Sequence, residues 1–362
     1  MRDAAMDQLH AYGWNEQTAA AFARLDDPTL QPARVIEELR GFCEVMAAGG
    51  PLRAALAARL RHDVRPAVGD WVALARDGAS GAVVLQHVLE RRSRIARKVS
   101  GRALREQVLA ANLDTVFLVT TCDDDFSPRR IERYLTLVWD GGAQPVVLIN
   151  KTDLIDDAER LVRDAETAAI GVPVHAVCAR RPAGLDPLTP YLQPGRTVAL
   201  LGSSGVGKST IVNRLIGADV QPVQAVREED AKGRHTTTSR QLFRLPSGTL
   251  LIDTPGLREV GLWQSDGALD QTFPELEGLA ASCRFTDCAH EREPGCAVLA
   301  AVASGALAAE RLESYRRLRK ELDFLERKVD AEADANVKRH WRSIHRSVRQ
   351  ARKKGWLRGS ED

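Results

Sequence analysis

Two segments of this 362-residue chain carry residue types suited to nucleotide chemistry. Gly202-Ser203-Ser204-Gly205-Val206-Gly207-Lys208-Ser209 fits G-x-x-x-x-G-K-[ST] in full, with Thr210 following. The apolar run TVALLG precedes it, and STIVNRLIG continues it as a helix. Glycines let a backbone wrap around phosphates with its N–H groups pointing inward. Lys208 suits the β- and γ-phosphates, and the Ser209 hydroxyl suits Mg²⁺. The second segment, Asn150-Lys151-Thr152-Asp153, ends the apolar run PVVLIN. An aspartate there accepts two hydrogen bonds from guanine N1–H and its exocyclic amine, which adenine cannot donate. Leaving that carboxylate unpaired is costly, so discrimination is sharp. Asn150 would tie loops together and the Lys151 stem would lie along the base. In the later AVCAR stretch, Cys178 and Ala179 fill the slot where a backbone N–H, that of Ala179, meets the guanine oxygen. Taken alone, this tetrapeptide is also an ordinary strand end.

Downstream of Lys208, LLIDTPG offers Asp253 as a Mg²⁺ partner and the Gly256 N–H for a γ-phosphate. Alone, it is equally an acidic strand end before a Pro-Gly turn. Between them lies QAVREEDAKGRHTTTSRQL, polar and aperiodic. It reads as a switch loop whose Thr236, Thr237 and Thr238 offer hydroxyls, with Thr237 expected on Mg²⁺, or as a plain surface loop. The chain order is base loop, Cys-Ala loop, phosphate loop, Thr loop, DTPG. That order is a rotation of the usual one with the cyclic sequence kept, so a circularly permuted G domain is expected.

Cys283, Cys288, His290 and Cys296 stand in C-x4-C-x-H-x5-C spacing, the donor set of a closed, structural Zn²⁺ site. Free cysteines beside a surface histidine are the alternative. The segment 337–358 has nine Lys/Arg and no acid, with Trp341 and Trp356 interleaved. Lys338, Arg339, Arg342, Arg346, Arg349, Arg352, Lys353 and Lys354 suit contact with an RNA backbone, unless they form a solvated basic helix.

These residues need elements to position them. Strand–helix alternation from about 105, with strands at 115–121, 145–150, 172–179, 197–202 and 249–254, argues for a parallel sheet covered on both faces. Before it, VGDWVALAR and AVVLQHVLERRSRIAR alternate as short strands of a small β barrel or sandwich, although LRAALAARLR fits a helix as well. The expected organisation is a helical extension at 1–33, a barrel at 34–98, an α/β GTPase domain at 105–264 and a zinc-binding helical region with a basic tail at 265–362. An apolar content of 44% supports a core, and a net charge of +2 confines nucleic-acid contact to local patches. The N-terminus lacks the apolar stretch of a signal peptide, and no run is long enough to span a bilayer, so a cytoplasmic protein without membrane contact is expected.

Together, GSSGVGKST, GRHTTT, DTPG, NKTD and the cysteine spacing resemble the RsgA (YjeQ) family of circularly permuted GTPases, over nearly the whole chain. The resemblance implies an N-terminal OB-fold barrel binding 16S rRNA. It implies GTP hydrolysis stimulated by the small (30S) ribosomal subunit late in that subunit's maturation. It also implies GTP/GDP, Mg²⁺ and one structural Zn²⁺ as cofactors, and a monomer. Many GTPases orient water with a glutamine just after D-x-x-G, where this chain has Leu257. His235 in the switch loop is then the candidate catalytic group beside Lys208, unless the ribosome supplies one in trans. A stand-alone GTP hydrolase, or an RNA-binding regulator not tied to the ribosome, is the competing reading.

Overall fold

The computed structural model describes residues 2–61, 64–78, 80–99, 105–123, 126–217, 240–253, 267–325 and 327. The chain opens with α1 (Arg2–Ala11) and α2 (Glu16–Ala23), the latter capped by Asn15, whose side chain accepts the Thr18 N–H at 3.0 Å. Five strands follow: β1 (Gln31–Leu39), β2 (Phe42–Ala47), β3 (Gly50–Leu56), β4 (Trp71–Arg76) and β5 (Val83–Val88). They pair in the order β1-β2-β3-β5-β4, and β4 returns to β1, closing a barrel. Its interior holds Ala33, Val35, Val45, Ala54, Val72, Leu74 and Leu85. The ambiguous alanine-rich run forms strand β3 over its first half and a 3-10 turn at Ala58–Arg61. Intrinsic alanine preference loses here because β2 and β5 pair with both edges of β3, and Ala54 faces the core.

The strands β6 (Arg94–Val99) and β7 (Arg105–Ala111) form a separate antiparallel ribbon. The α/β sheet then runs β8 (Thr115–Thr121), β9 (Gln144–Asn150), β10 (Val174–Ala176), β11 (Thr197–Leu201), β12 (Gln241–Arg244) and β13 (Leu250–Asp253). Its spatial order is β10-β9-β8-β11-β13-β12, with all neighbours parallel except the antiparallel β12–β13 pair. All seven residues of β8 are buried, as a central parallel strand requires. Of the predicted strand 172–179, only Val174–Ala176 is a strand; Val172 and Pro173 precede it, and Val177, Cys178 and Ala179 form loop that leads into the site. Covering helices include α3 (Pro128–Asp140), α4 (Ala158–Ala168) and α5 (Lys208–Ile216). The C-terminal region contains α6 (Ala268–Thr272), α7 (Pro274–Ala280), α8 (Ala297–Ala303) and a helix over 309–325.

Two buried arginines join these regions. Arg34 donates to the carbonyls of Tyr12, Gly69 (3.2 Å) and Asn112 (3.4 Å) and to Thr197 Oγ1 (2.8 Å). It thereby links the helical extension, the barrel and β11. Arg311, on the helix over 309–325, pairs with Glu132 of α3 at 2.7 Å and with Glu275 of α7 at 2.6 Å. The barrel also meets the α/β sheet directly, through the Glu37–Gln241 register pair and the Arg240–Glu38 ion pair at 2.8 Å.

Candidate nucleotide site and metal cluster

The carboxyl ends of β9, β11 and β13 deliver the predicted residues to one edge of the sheet. Asn150 ends β9 and is 2% exposed. Its Nδ2 donates to the Val206 carbonyl at 2.9 Å, and its Oδ1 accepts the Ala179 N–H at 3.2 Å. One buried amide therefore holds the phosphate loop and the Cys-Ala loop together. Gly207 sits at φ 93°, and a Cβ there would overlap the Asn150 amide, so both conformation and space demand glycine. Lys151 turns the chain with φ 63°. The Thr152 hydroxyl donates to the Val177 carbonyl at 2.9 Å, and the Cys122 thiol donates to the Lys151 carbonyl at 3.0 Å.

These contacts leave Asp153 in a turn facing a cleft of about 340 Å³. The cleft is lined by Asn150, Lys151, Asp153, Cys178, Ala179, Gly205, Gly207 and Thr210, residues expected from the motifs. Leu154 and Arg180 line it too, and the motif reading missed both. Leu154, although apolar, is 63% exposed there, a shelf suited to a flat base. The Cys178 thiol donates to Asp153 Oδ1 at 3.1 Å and holds that carboxyl below its ordinary range, so it is ionised at neutral pH. An ionised carboxylate is the acceptor that guanine's two donors need.

On the phosphate side, Gly202, Gly205 and Gly207 all have positive φ, at 156°, 84° and 93°. The Lys208 ammonium donates to the carbonyls of Gly202 (2.8 Å) and Ser203 (2.5 Å). Val206 is buried and anchors the loop, whereas Ser204, Ser209 and Thr210 are exposed at its mouth. Asp253 follows Ile252, which pairs with Ala199 of β11, so it leaves the sheet at the same edge as the phosphate loop. His235, Thr236, Thr237, Thr238, Gly256 and Leu257 lie outside the described residues, as do the tail residues Lys338, Arg339, Arg342, Arg346, Arg349, Arg352, Lys353 and Lys354.

The second cluster lies between α7 and α8. The ligand atoms of Cys283, Cys288, His290 and Cys296 are all within 4.8 Å of one another. His290 Nδ1 is 3.4 Å from Cys296 Sγ and 3.7 Å from Cys283 Sγ, and these two sulfurs are 3.9 Å apart. A tetrahedral Zn²⁺ with ordinary bond lengths sets such edges at about 3.5–3.8 Å, so the donor set fits this metal. Burial depresses the His290 pKa, which favours the neutral imidazole that ligates. Burial also pushes the Cys288 thiol up to about 11, so an incoming metal displaces its proton. The loop is shaped by Glu293, whose carboxylate accepts the N–H groups of Ala289 (3.0 Å), Glu291 (2.7 Å) and Arg292 (2.9 Å).

A G-x-x-x-x-G-K-S loop on a parallel sheet, with an N-K-x-D loop on an earlier strand and one asparagine bridging the two, has the layout of a circularly permuted P-loop GTPase. The sequence profile described as RsgA GTPase matches residues 88–263. A protein of Streptomyces coelicolor named "Small ribosomal subunit biogenesis GTPase RsgA" is 46% identical over 97% of both chains. A protein of Streptomyces avermitilis with the same name is 47% identical over 92% of this chain and 91% of its own. Among solved structures, YjeQ from Thermotoga maritima superposes with a TM-score of 0.61 at 28% identity, covering 81% of this chain and 98% of that one. YloQ, described as a circularly permuted GTPase, superposes at 0.58 with 25% identity, over 81% and 95%. The chain belongs to the RsgA GTPase family and is a GTP-hydrolysing enzyme.

Proposed function

We propose that this GTPase binds the small ribosomal subunit and acts in its maturation, with nucleotide state timing release. The observation that carries the nucleotide half is the Asn150 amide, which locks the phosphate and guanine loops into one cleft beside an ionised Asp153. The ribosomal half is supported by relatives named for small-subunit biogenesis that match almost end to end.

In this reading Asp153 reads guanine, assisted by Asn150, Lys151, Thr152, Cys178 and Ala179. The loop Gly202–Thr210, with the Gly256 N–H, cradles the phosphates, and Lys208 neutralises charge developing on them. Ser209, Thr237 and Asp253 hold Mg²⁺, which supplies further charge neutralisation when bound. His235 positions or deprotonates the attacking water. Cys283, Cys288, His290 and Cys296 hold a structural Zn²⁺, and the basic tail and the barrel contact 16S rRNA. The protein works as a cytoplasmic monomer.

The test is GTP turnover of the full chain with and without purified small subunits. Slow free turnover that small subunits strongly stimulate is expected; fast turnover indifferent to them would point to a stand-alone hydrolase. His235→Ala is expected to bind nucleotide and lose stimulated turnover. Undiminished turnover would remove His235 from the mechanism.

A further inference from the structure

The helix α3 carries, on consecutive residues, contacts to two distant parts of the molecule. Arg130, in its first turn, donates from Nη1 to the Ser203 hydroxyl at 2.8 Å. Ser203 is the second residue of the phosphate loop, and its carbonyl takes the Lys208 ammonium at 2.5 Å. Arg130 therefore grips the residue on which the phosphate-binding lysine rests.

Residues 129, 132 and 133, spaced i, i+3, i+4, line one side of the same helix, with Arg130 beside Arg133 at its margin. All three hold the helix over 309–325. Arg129 meets Glu313 at 3.1 Å, Glu132 meets Arg311 at 2.7 Å, and Arg133 meets Glu321 with two bonds of 2.5 and 2.8 Å. That C-terminal helix in turn holds the Cys/His loop. Arg316 donates to the His290 carbonyl, Lys320 pairs with Glu291 at 3.1 Å, and the Tyr315 ring lies 6.3 Å from that of His290.

We infer that Arg130 is a positioning residue for the phosphate loop, and that α3 is the rigid element through which the C-terminal helix and the metal loop bias nucleotide binding. This rests on the phosphate-loop reading of Gly202–Ser209. A helix is stiff along its axis, so a shift that the C-terminal helix imposes on Arg129, Glu132 and Arg133 moves Arg130 with them. The Arg130–Ser203 bond passes that shift to the loop carrying Lys208. The contact runs in both directions: nucleotide that re-seats Lys208 and Ser203 is felt at the metal loop.

The experiment is a double-mutant cycle on the full chain, read as the Kd for a fluorescent GTP analogue and as kcat, with thermal melting alongside. The variants are Arg130→Gln, Glu321→Gln and both together. Arg130→Gln is expected to weaken nucleotide binding about threefold to tenfold, the cost of one hydrogen bond at a loop that must be pre-shaped. Glu321→Gln touches neither the loop nor Arg130. It is expected to change the Kd about twofold or more in the parent protein and to leave it unchanged when Arg130→Gln is already present. Arg130→Lys, which keeps the charge, should recover part of the lost affinity.

A Glu321→Gln effect confined to the melting temperature would make the ion pair merely structural and overturn the inference. Strictly additive effects on Kd would overturn it as well. Lys208→Ala separates the underlying reading: retained nucleotide binding there would show that the loop itself is misread, whereas abolished binding with an additive cycle would remove only the α3 route.

Discussion

Arg34 and Arg311 are each almost wholly buried, at 1% and 7% exposure, and each joins a flanking region to the GTPase domain. Each guanidinium also lies over an aromatic ring, Arg34 at 5.3 Å from Trp71 and Arg311 at 4.2 Å from Phe273. Their partners differ. Arg34 donates to neutral acceptors, three carbonyls and a hydroxyl, and burial pulls its pKa down to about 10. Arg311 is neutralised in place by Glu132 and Glu275, with added bonds to the carbonyls of Thr272 (2.7 Å) and Ala168 (3.1 Å). The barrel side is thus held by a cation among dipoles, the metal side by a buried ion-pair node in which Glu132 Oε2 and Glu275 Oε2 are left without a hydrogen-bond partner. A joint of dipoles loses hydrogen bonds when broken, whereas a joint of buried charges leaves a charge stranded.

The largest expected effect follows from that difference. Arg311→Met leaves the Glu132 carboxylate buried without its cation, and should cost about 3–5 kcal/mol in denaturant unfolding. Adding Glu132→Gln should restore part of this, because it removes the stranded charge. A loss near that of an ordinary hydrogen bond would contradict the description of a buried ion-pair node. Arg34→Met should cost less, about 1–3 kcal/mol, since it strands only carbonyl and hydroxyl groups. Gly69 O also keeps the Asn112 amide at 3.1 Å. Equal costs for the two substitutions would erase the distinction.

A smaller effect concerns pH. Glu293 shapes the metal loop, and backbone N–H groups, its own first and then those of Arg292, Glu291 and Ala289, draw its pKa down to about 2. A depressed carboxylate contributes stability above its unfolded pKa, and that contribution fades as pH falls from ~4.5 towards 2. Glu293→Gln should flatten this part of the acid profile of the metal region and leave the barrel's profile alone. An unchanged profile would show that Glu293 contributes nothing there. The smallest effect is expected for Arg129→Gln, whose pair with Glu313 is about half exposed and contributes at most ~1 kcal/mol.

Much of the site could be read from sequence because its chemistry is local. Gly202–Ser209 and Asn150–Asp153 are contiguous, and the four metal-cluster residues fall within fourteen positions. Cyclic order alone then joined the two nucleotide motifs, and the structure shows why that order is permitted: β8 lies between β9 and β11, so Asn150 reaches Val206 whichever segment comes first. What escaped was long-range. Arg34, Arg130 and Arg311 sit in stretches with no motif, and their partners are 163, 73 and 179 residues away in sequence. The alanine-rich β3 carries a weak strand signal, because its pairing partners rather than its own side chains decide its conformation. Leu154 and Arg180 follow the motif residues directly, and only the cleft's shape gives them a role.

In the function proposed for this chain, a loop standing early in the sequence reads guanine for a phosphate loop that stands later. Asp153→Asn tests it most directly, by comparing GTP and XTP binding and turnover in the variant and the parent protein. Asparagine presents a donor where the carboxylate accepts, so preference should switch from guanine to xanthine with the melting temperature little changed. Unaltered guanine preference in a folded Asp153→Asn protein would contradict it.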